Sequence, residues 1–151
     1  MSATRVGLTV ALLIGVSVFS YSSAETERWL CVAEKATGYI FSDLTTRWER
    51  AAFKASDKYL VAPGPPKPDQ PVQYLVRKIG DPSYVYLKCR DFVGDMLHCE
   101  SPLLFLPFYE SFSFNTKTLR YVYTFTGSWL KEKPEGGGDT PLIELGKCSP
   151  L

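Results

Sequence analysis

Ser111-Phe-Ser-Phe-Asn-Thr-Lys-Thr-Leu-Arg-Tyr-Val-Tyr-Thr-Phe-Thr126 alternates with a period of two on both sides of a polar break. Phe112 and Phe114 alternate with Ser111 and Ser113. Leu119, Tyr121, Tyr123 and Phe125 then share one face, with Arg120, Val122, Thr124 and Thr126 on the other. Successive side chains of a strand point to opposite faces, so this period predicts two half-buried strands. Asn115-Thr-Lys-Thr118 has the chemistry of the loop that joins them as a hairpin.

The pattern extends outward in both directions. Nine Tyr, nine Phe, 11 Gly and 11 Pro make a composition of short strands and punctuated turns. Trp29–Ala33 reads as a first strand and Ala36–Phe41 as a second, with Gly38 at a bulge. Arg47–Lys54 is ambiguous: Leu44, Trp48, Ala51 and Ala52 also fit one helical face, but strands on both sides favour a strand. Lys58–Val61, Val72–Ile79 and Tyr84–Cys89 are further strands. Pro141–Cys148 closes the series. Ala62–Pro71 holds five prolines in ten residues, which excludes helix and central strand and predicts a stiff exposed loop. Glu135-Gly-Gly-Gly-Asp139 reads as a mobile loop. The fold expected is a mainly β domain, a small antiparallel barrel or sandwich.

Four cysteines, Cys31, Cys89, Cys99 and Cys148, allow three disulfide pairings. Cys89 and Cys99 each lie five residues from Gly94, so a hairpin centred on Val93-Gly94-Asp95 sets them opposite one another. Cys31 and Cys148 would then tie the first strand to the last. A zinc site is disfavoured, because no Cys-x2-Cys pair exists and His98 lacks ligand spacing.

The even cysteine count suits an exported chain, and the N-terminus agrees. Arg5 precedes the uncharged run Val6–Phe19, and Ser22 and Ala24 supply small residues before a cut. This predicts a secretory signal peptide over residues 1–24, cleaved after Ala24. The alternative is an uncleaved anchor, but a membrane span needs about 20 apolar residues and this run is shorter. Removing 24 of the 151 residues leaves a domain over 25–151 and takes away Arg5, so Lys plus Arg falls from 17 to 16 and equals Asp plus Glu. A neutral domain has no charge excess to steer it onto nucleic acid or an anionic membrane.

Catalytic patterns are scarce. No Gly-x-Ser-x-Gly elbow, P-loop or Gly-x-Gly-x-x-Gly is present, and Gly136–Gly138 follows no strand that opens a helix. A Ser-His-Asp arrangement would have to use His98, the one histidine, which adjoins Cys99. Glu34, Glu49, Glu100, Glu110 and Glu144 read as solvated surface charges, although carboxylates converging in a cleft would signal an enzyme. No cofactor and no metal is expected.

Two features could support binding. Leu103-Leu104-Phe105-Leu-Pro-Phe108-Tyr109 is dense and apolar, either a core crossover or, if exposed, a partner patch. Trp29, Trp48, Tyr121, Tyr123, Phe125 and Trp129 either fill the core or line a cavity; a barrel of about eight strands can hold one small ligand.

Cys31-Val-Ala-Glu-Lys-Ala-Thr-Gly-Tyr39, Trp48, Phe53, Phe112-Ser-Phe-Asn115, Leu119-Arg-Tyr121 and the ending Asp139-Thr-Pro-Leu-Ile-Glu-Leu-Gly-Lys-Cys148 resemble a group of small exported bacterial proteins of uncharacterised function. The resemblance covers most of the mature chain. It implies a Gram-negative, periplasmic or secreted setting and a tie between the terminal cysteines, and it carries no functional residue. Trp and Cys on the first strand with a closing Cys strand are also similar, by fold analogy, to lipocalin-like and lysozyme-inhibitor-like barrels. The expectation is an exported, non-enzymatic binding protein for a small apolar ligand held in the barrel. The alternative is a protein-interaction module that presents loops 62–71 and 134–139, such as an inhibitor of an envelope or host enzyme.

Overall fold

A computed structural model describes residues 27–65, 73–82, 86–90, 93–101, 109–127, 129 and 140–151. The expected signal peptide, the loop around 135–139 and Leu103, Leu104, Phe105 and Phe108 lie outside these residues. So does most of the proline-rich stretch.

The described residues form nine strands: β1 Trp29–Ser42, β2 Arg47–Phe53, β3 Lys58–Pro63, β4 Tyr74–Lys78, β5 Leu87–Cys89, β6 Met96–Glu100, β7 Glu110–Asn115, β8 Arg120–Phe125 and β9 Leu142–Pro150. Each pairs antiparallel with its neighbour. β9 runs along one edge of β1 over residues 29–38. The other edge takes β3 over 29–32 and β2 over 36–42. β2 and β3 thus succeed one another beside β1, and the sheet closes as an eight-stranded barrel. Closure pairs β9 with β1 over residues 29–38, which removes the open edges that would otherwise template aggregation there. Between barrel and sandwich, the β1–β9 ladder decides.

Two of the expected elements merge. Trp29–Ala33 and Ala36–Phe41 are one strand, and the irregularity falls between Ala33 and Lys35 rather than at Gly38. Glu34 is an extra residue in the ladder. It switches the inward-facing positions of β1 from odd numbers (Trp29, Cys31, Ala33) to even ones (Ala36, Gly38), which matches the inward Cys148, Gly146, Glu144 and Leu142 of β9. Gly146, opposite Ala33, is required there: a Cβ would lie 2.2 Å from the Val32 carbonyl oxygen and 2.5 Å from the Tyr121 ring. Arg47–Phe53 is a strand, as its neighbours argued.

Both disulfides join residues directly opposite in register and face the interior: Cys31 with Cys148, and Cys89 with Cys99. Around them pack Trp29, Tyr59, Val61, Val76, Leu87, Leu97, Phe112, Phe114, Tyr121 and Tyr123. Phe112 stacks on Tyr121 with ring centroids 4.7 Å apart, and Tyr59 meets both at 5.5 and 5.8 Å. Burying each such side chain contributes roughly 1.5–3 kcal/mol. Trp29 against Phe114 and Tyr74 fills the end where β1 begins and β9 finishes. Two disulfides fit an oxidising, extracytoplasmic environment.

Candidate functional site

The other end of the barrel is less filled. There the strand pair Phe125 and Leu142 forms a wall with a cavity on each side.

The inner cavity, about 420 Å³, opens at the barrel mouth among Ala36, Phe53, Tyr123, Phe125 and Leu142, with Asp57, Lys78, Asp81, Glu110 and Glu144 around them. Two glutamates that read as surface charges therefore converge here. Glu144 is only 1% exposed, because β9 turns it inward beside Ala36 and Tyr123. Tyr121 donates its hydroxyl to Glu144 Oε1 at 2.8 Å, reaching past Gly146 to do so. Burial raises the Glu144 carboxyl above its ordinary range; Asp57 raises it further, while the Tyr121 and Tyr59 hydroxyls and Lys78 oppose the shift. The same burial, with Glu144 adjacent, pushes the Tyr121 phenol upward. Asp57 is paired with Lys78 at 2.6 Å. The residue pair 57/78 anchors the mouth, since Asp57 also accepts the Ala33 amide on its backbone oxygen.

The outer cavity, about 640 Å³, lies against the barrel's outside surface. Strand alternation beyond the Glu34 bulge turns Thr37, Tyr39 and Phe41 outward, and pairing sets Arg50 beside Tyr39 and Trp48 beside Phe41. Trp129 closes the group, with ring centroids 5.0 Å from Tyr39 and 5.6 Å from Trp48. Phe41 meets Trp48 edge-on at 5.6 Å. Phe125, Leu142, Ile143 and Pro141 form the floor, and Arg50 is the one charged residue among the described lining. Tyr39 and Trp129 remain over 40% exposed. The described lining is mostly aromatic and aliphatic, with Thr37, Thr124, Thr126 and Arg50 as its polar side chains.

The six aromatic residues expected to line one interior divide between the two faces. Trp29, Tyr121 and Tyr123 are inside and tightly packed, and Phe125 stands at the dividing wall. Trp48 and Trp129 are outside. Reading β1 and β2 as a simple alternation missed this, because one bulge residue exchanges the faces. Of the expected partner patch only Tyr109 is described; it is exposed and its hydroxyl donates to Glu100. Tyr39, Arg50 and Ile143, which complete the outer cavity, were not singled out by sequence; the signal available was the period-two set Thr37, Tyr39, Phe41.

No metal-holding group of three or more His, Cys, Asp or Glu occurs among the described residues, and no helix there is long and apolar enough to cross a membrane. No protein family, curated protein or solved structure matches the chain.

Proposed function

We propose that this is an exported binding protein, cleaved after Ala24 and working in the periplasm or outside the cell, whose ligand seats in the outer aromatic cavity. The observation that carries the proposal is the pocket walled by Tyr39, Trp129 and Phe125 with Arg50 at its edge. Its volume, about 640 Å³, falls in the range of small-molecule sites, which are largely apolar with a few orienting polar groups. Rings held half-exposed are costly in water, and covering them favours an apolar body. The single guanidinium favours an anionic group on that body. The ligand class is therefore a small apolar or aromatic acid.

Titration of the mature protein with 1-anilinonaphthalene-8-sulfonate, followed by tryptophan quenching, tests this. Saturable binding is expected, weakened about 10-fold or more by Trp129→Ala, with a loss of about 1.4 kcal/mol. Arg50→Gln should weaken decanoate as a competitor and leave decanol unchanged. Equal binding by wild type and Trp129→Ala would sink the proposal.

A second reading rests on a different observation. Val122, Ile143 and Leu145 lie exposed on neighbouring positions of β8 and β9 and continue the apolar surface away from the pocket. Such a stripe suits a protein partner. Substituting Leu145→Lys should then abolish partner capture while probe binding at the pocket persists.

A further inference from the structure

The outer face of β6 and β7 carries a side-chain relay unconnected with the aromatic cavity. Alternation along Met96-Leu-His-Cys-Glu100 sends Leu97 and Cys99 inward and His98 and Glu100 outward. The register of β6 with β7 places Ser113 directly opposite His98. Ser113 Oγ lies 2.8 Å from His98 Nδ1, and His98 Nε2 lies 3.1 Å from Glu100 Oε1. We propose that Ser113 is a nucleophile, with His98 as its general base and Glu100 as the group that orients the base, and that it accepts acyl groups from activated esters.

The hydrogen bonds set the roles. Tyr109 donates its hydroxyl to Glu100 Oε1 at 2.6 Å, and Arg90 donates to Oε2 at 2.7 Å. The Tyr109 bond first, with those from His98 and Arg90, holds the Glu100 carboxyl ionised down to about 2. An ionised carboxylate only accepts, so His98 carries its proton on Nε2 and presents the Nδ1 lone pair to the Ser113 hydroxyl. That is the arrangement general-base activation of a serine requires: nucleophile to base, base to orienting group, all within hydrogen-bond reach. Cys99 sits between His98 and Glu100 and is bonded to Cys89 on β5, so the strand that carries base and orienter is fixed from behind.

In the reaction, Ser113 Oγ attacks the ester carbonyl and its proton passes to Nδ1. The bond to the leaving alcohol breaks, and the alcohol takes the proton from the imidazolium. Water repeats the sequence to release the acid and restore the serine. β7, which carries Ser113, is paired along its length on both sides, with β6 and with β8, so its amides are engaged in the ladders. The substrates are therefore esters with good leaving groups, which need least stabilisation of the tetrahedral oxyanion.

Incubation of the mature protein with 4-nitrophenyl acetate and with a fluorophosphonate probe, followed by peptide mapping, tests the assignment. The adduct is expected on Ser113 and absent in Ser113→Ala. His98→Asn should slow acylation about 100-fold and remove the ionisation from its pH profile; Glu100→Gln should slow it as well. The charged and polar groups facing His98 in that profile are Ser113, Glu100, Arg90 and Tyr109. All three substitutions are on the outer face, and intact disulfides with an unchanged near-ultraviolet dichroism spectrum show that the barrel is retained. Absence of any adduct overturns the proposal. So does an adduct on lysine or tyrosine that survives Ser113→Ala, or a His98→Asn variant that lowers only the melting temperature.

Discussion

Glu144 shows how a single residue is decided by its surroundings. In the chain it is one acid among sixteen, placed by the local alternation opposite the exposed Ile143 and Leu145. In the barrel it is buried, and its carboxyl is raised chiefly by desolvation. A carboxyl whose folded pKa exceeds its unfolded value contributes stability while protonated, and that contribution is lost as pH rises through the folded value. Glu144→Gln keeps an acceptor for Tyr121 and removes the charge. It should therefore be more stable than wild type at pH 7, by about 1 kcal/mol, with the difference closing below about pH 4. Urea unfolding at the two pH values checks this; equal stability at pH 7 would contradict the burial cost. That Glu144 is inward was open to sequence reading, since it shares parity with Cys148. That it has phenolic partners was not, because Tyr121 lies 23 residues away and meets it only through the β8–β9 register.

At the scale of elements, β1 and its bulge govern the most. Glu34 lets one long strand present Cys31 inward at one end and Tyr39 outward at the other. Gly146 makes the opposing turn of the ladder possible. Gly146→Ala should cost about 3 kcal/mol, because backbone on one side and a packed ring on the other both resist the added carbon. Thermal unfolding checks the loss, and a melting temperature within a degree of wild type would show that the ladder relaxes more easily than its contacts suggest. The hairpin of β7 and β8 was legible from its period of two and one polar loop, although Asn115 ends β7 and Leu119 lies in the turn at φ 56° rather than on the strand; Asn115 Oδ1 accepts the Lys117 and Thr118 amides. The β1 bulge was not, since nothing in Ala33-Glu-Lys35 distinguishes an extra residue from a turn. The relay of Ser113, His98 and Glu100 lay between these cases. Its alternation was visible, and its register was set by pairing.

For the whole molecule, closure and cross-linking act together. The Cys31–Cys148 bond spans 117 residues and lies on the β1–β9 seam, whereas Cys89–Cys99 spans 10 within one hairpin. By loop entropy the first is worth about 5 kcal/mol and the second about 3. The double variant Cys31→Ala with Cys148→Ala should unfold at markedly lower urea than Cys89→Ala with Cys99→Ala; equal midpoints would show that the seam stays organised without its cross-link. What can be known from the chain alone is what local pattern dictates: strands from the period of two, a hairpin disulfide from symmetry about Gly94, and the terminal tie that remains once that pair is made. What required the folded barrel is everything that depends on which residues lie opposite one another on neighbouring strands. The inward carboxyl, the outward aromatic pocket and the serine beside the one histidine all arise from register between strands, and along β1 a single bulge residue resets that register without altering the local signal.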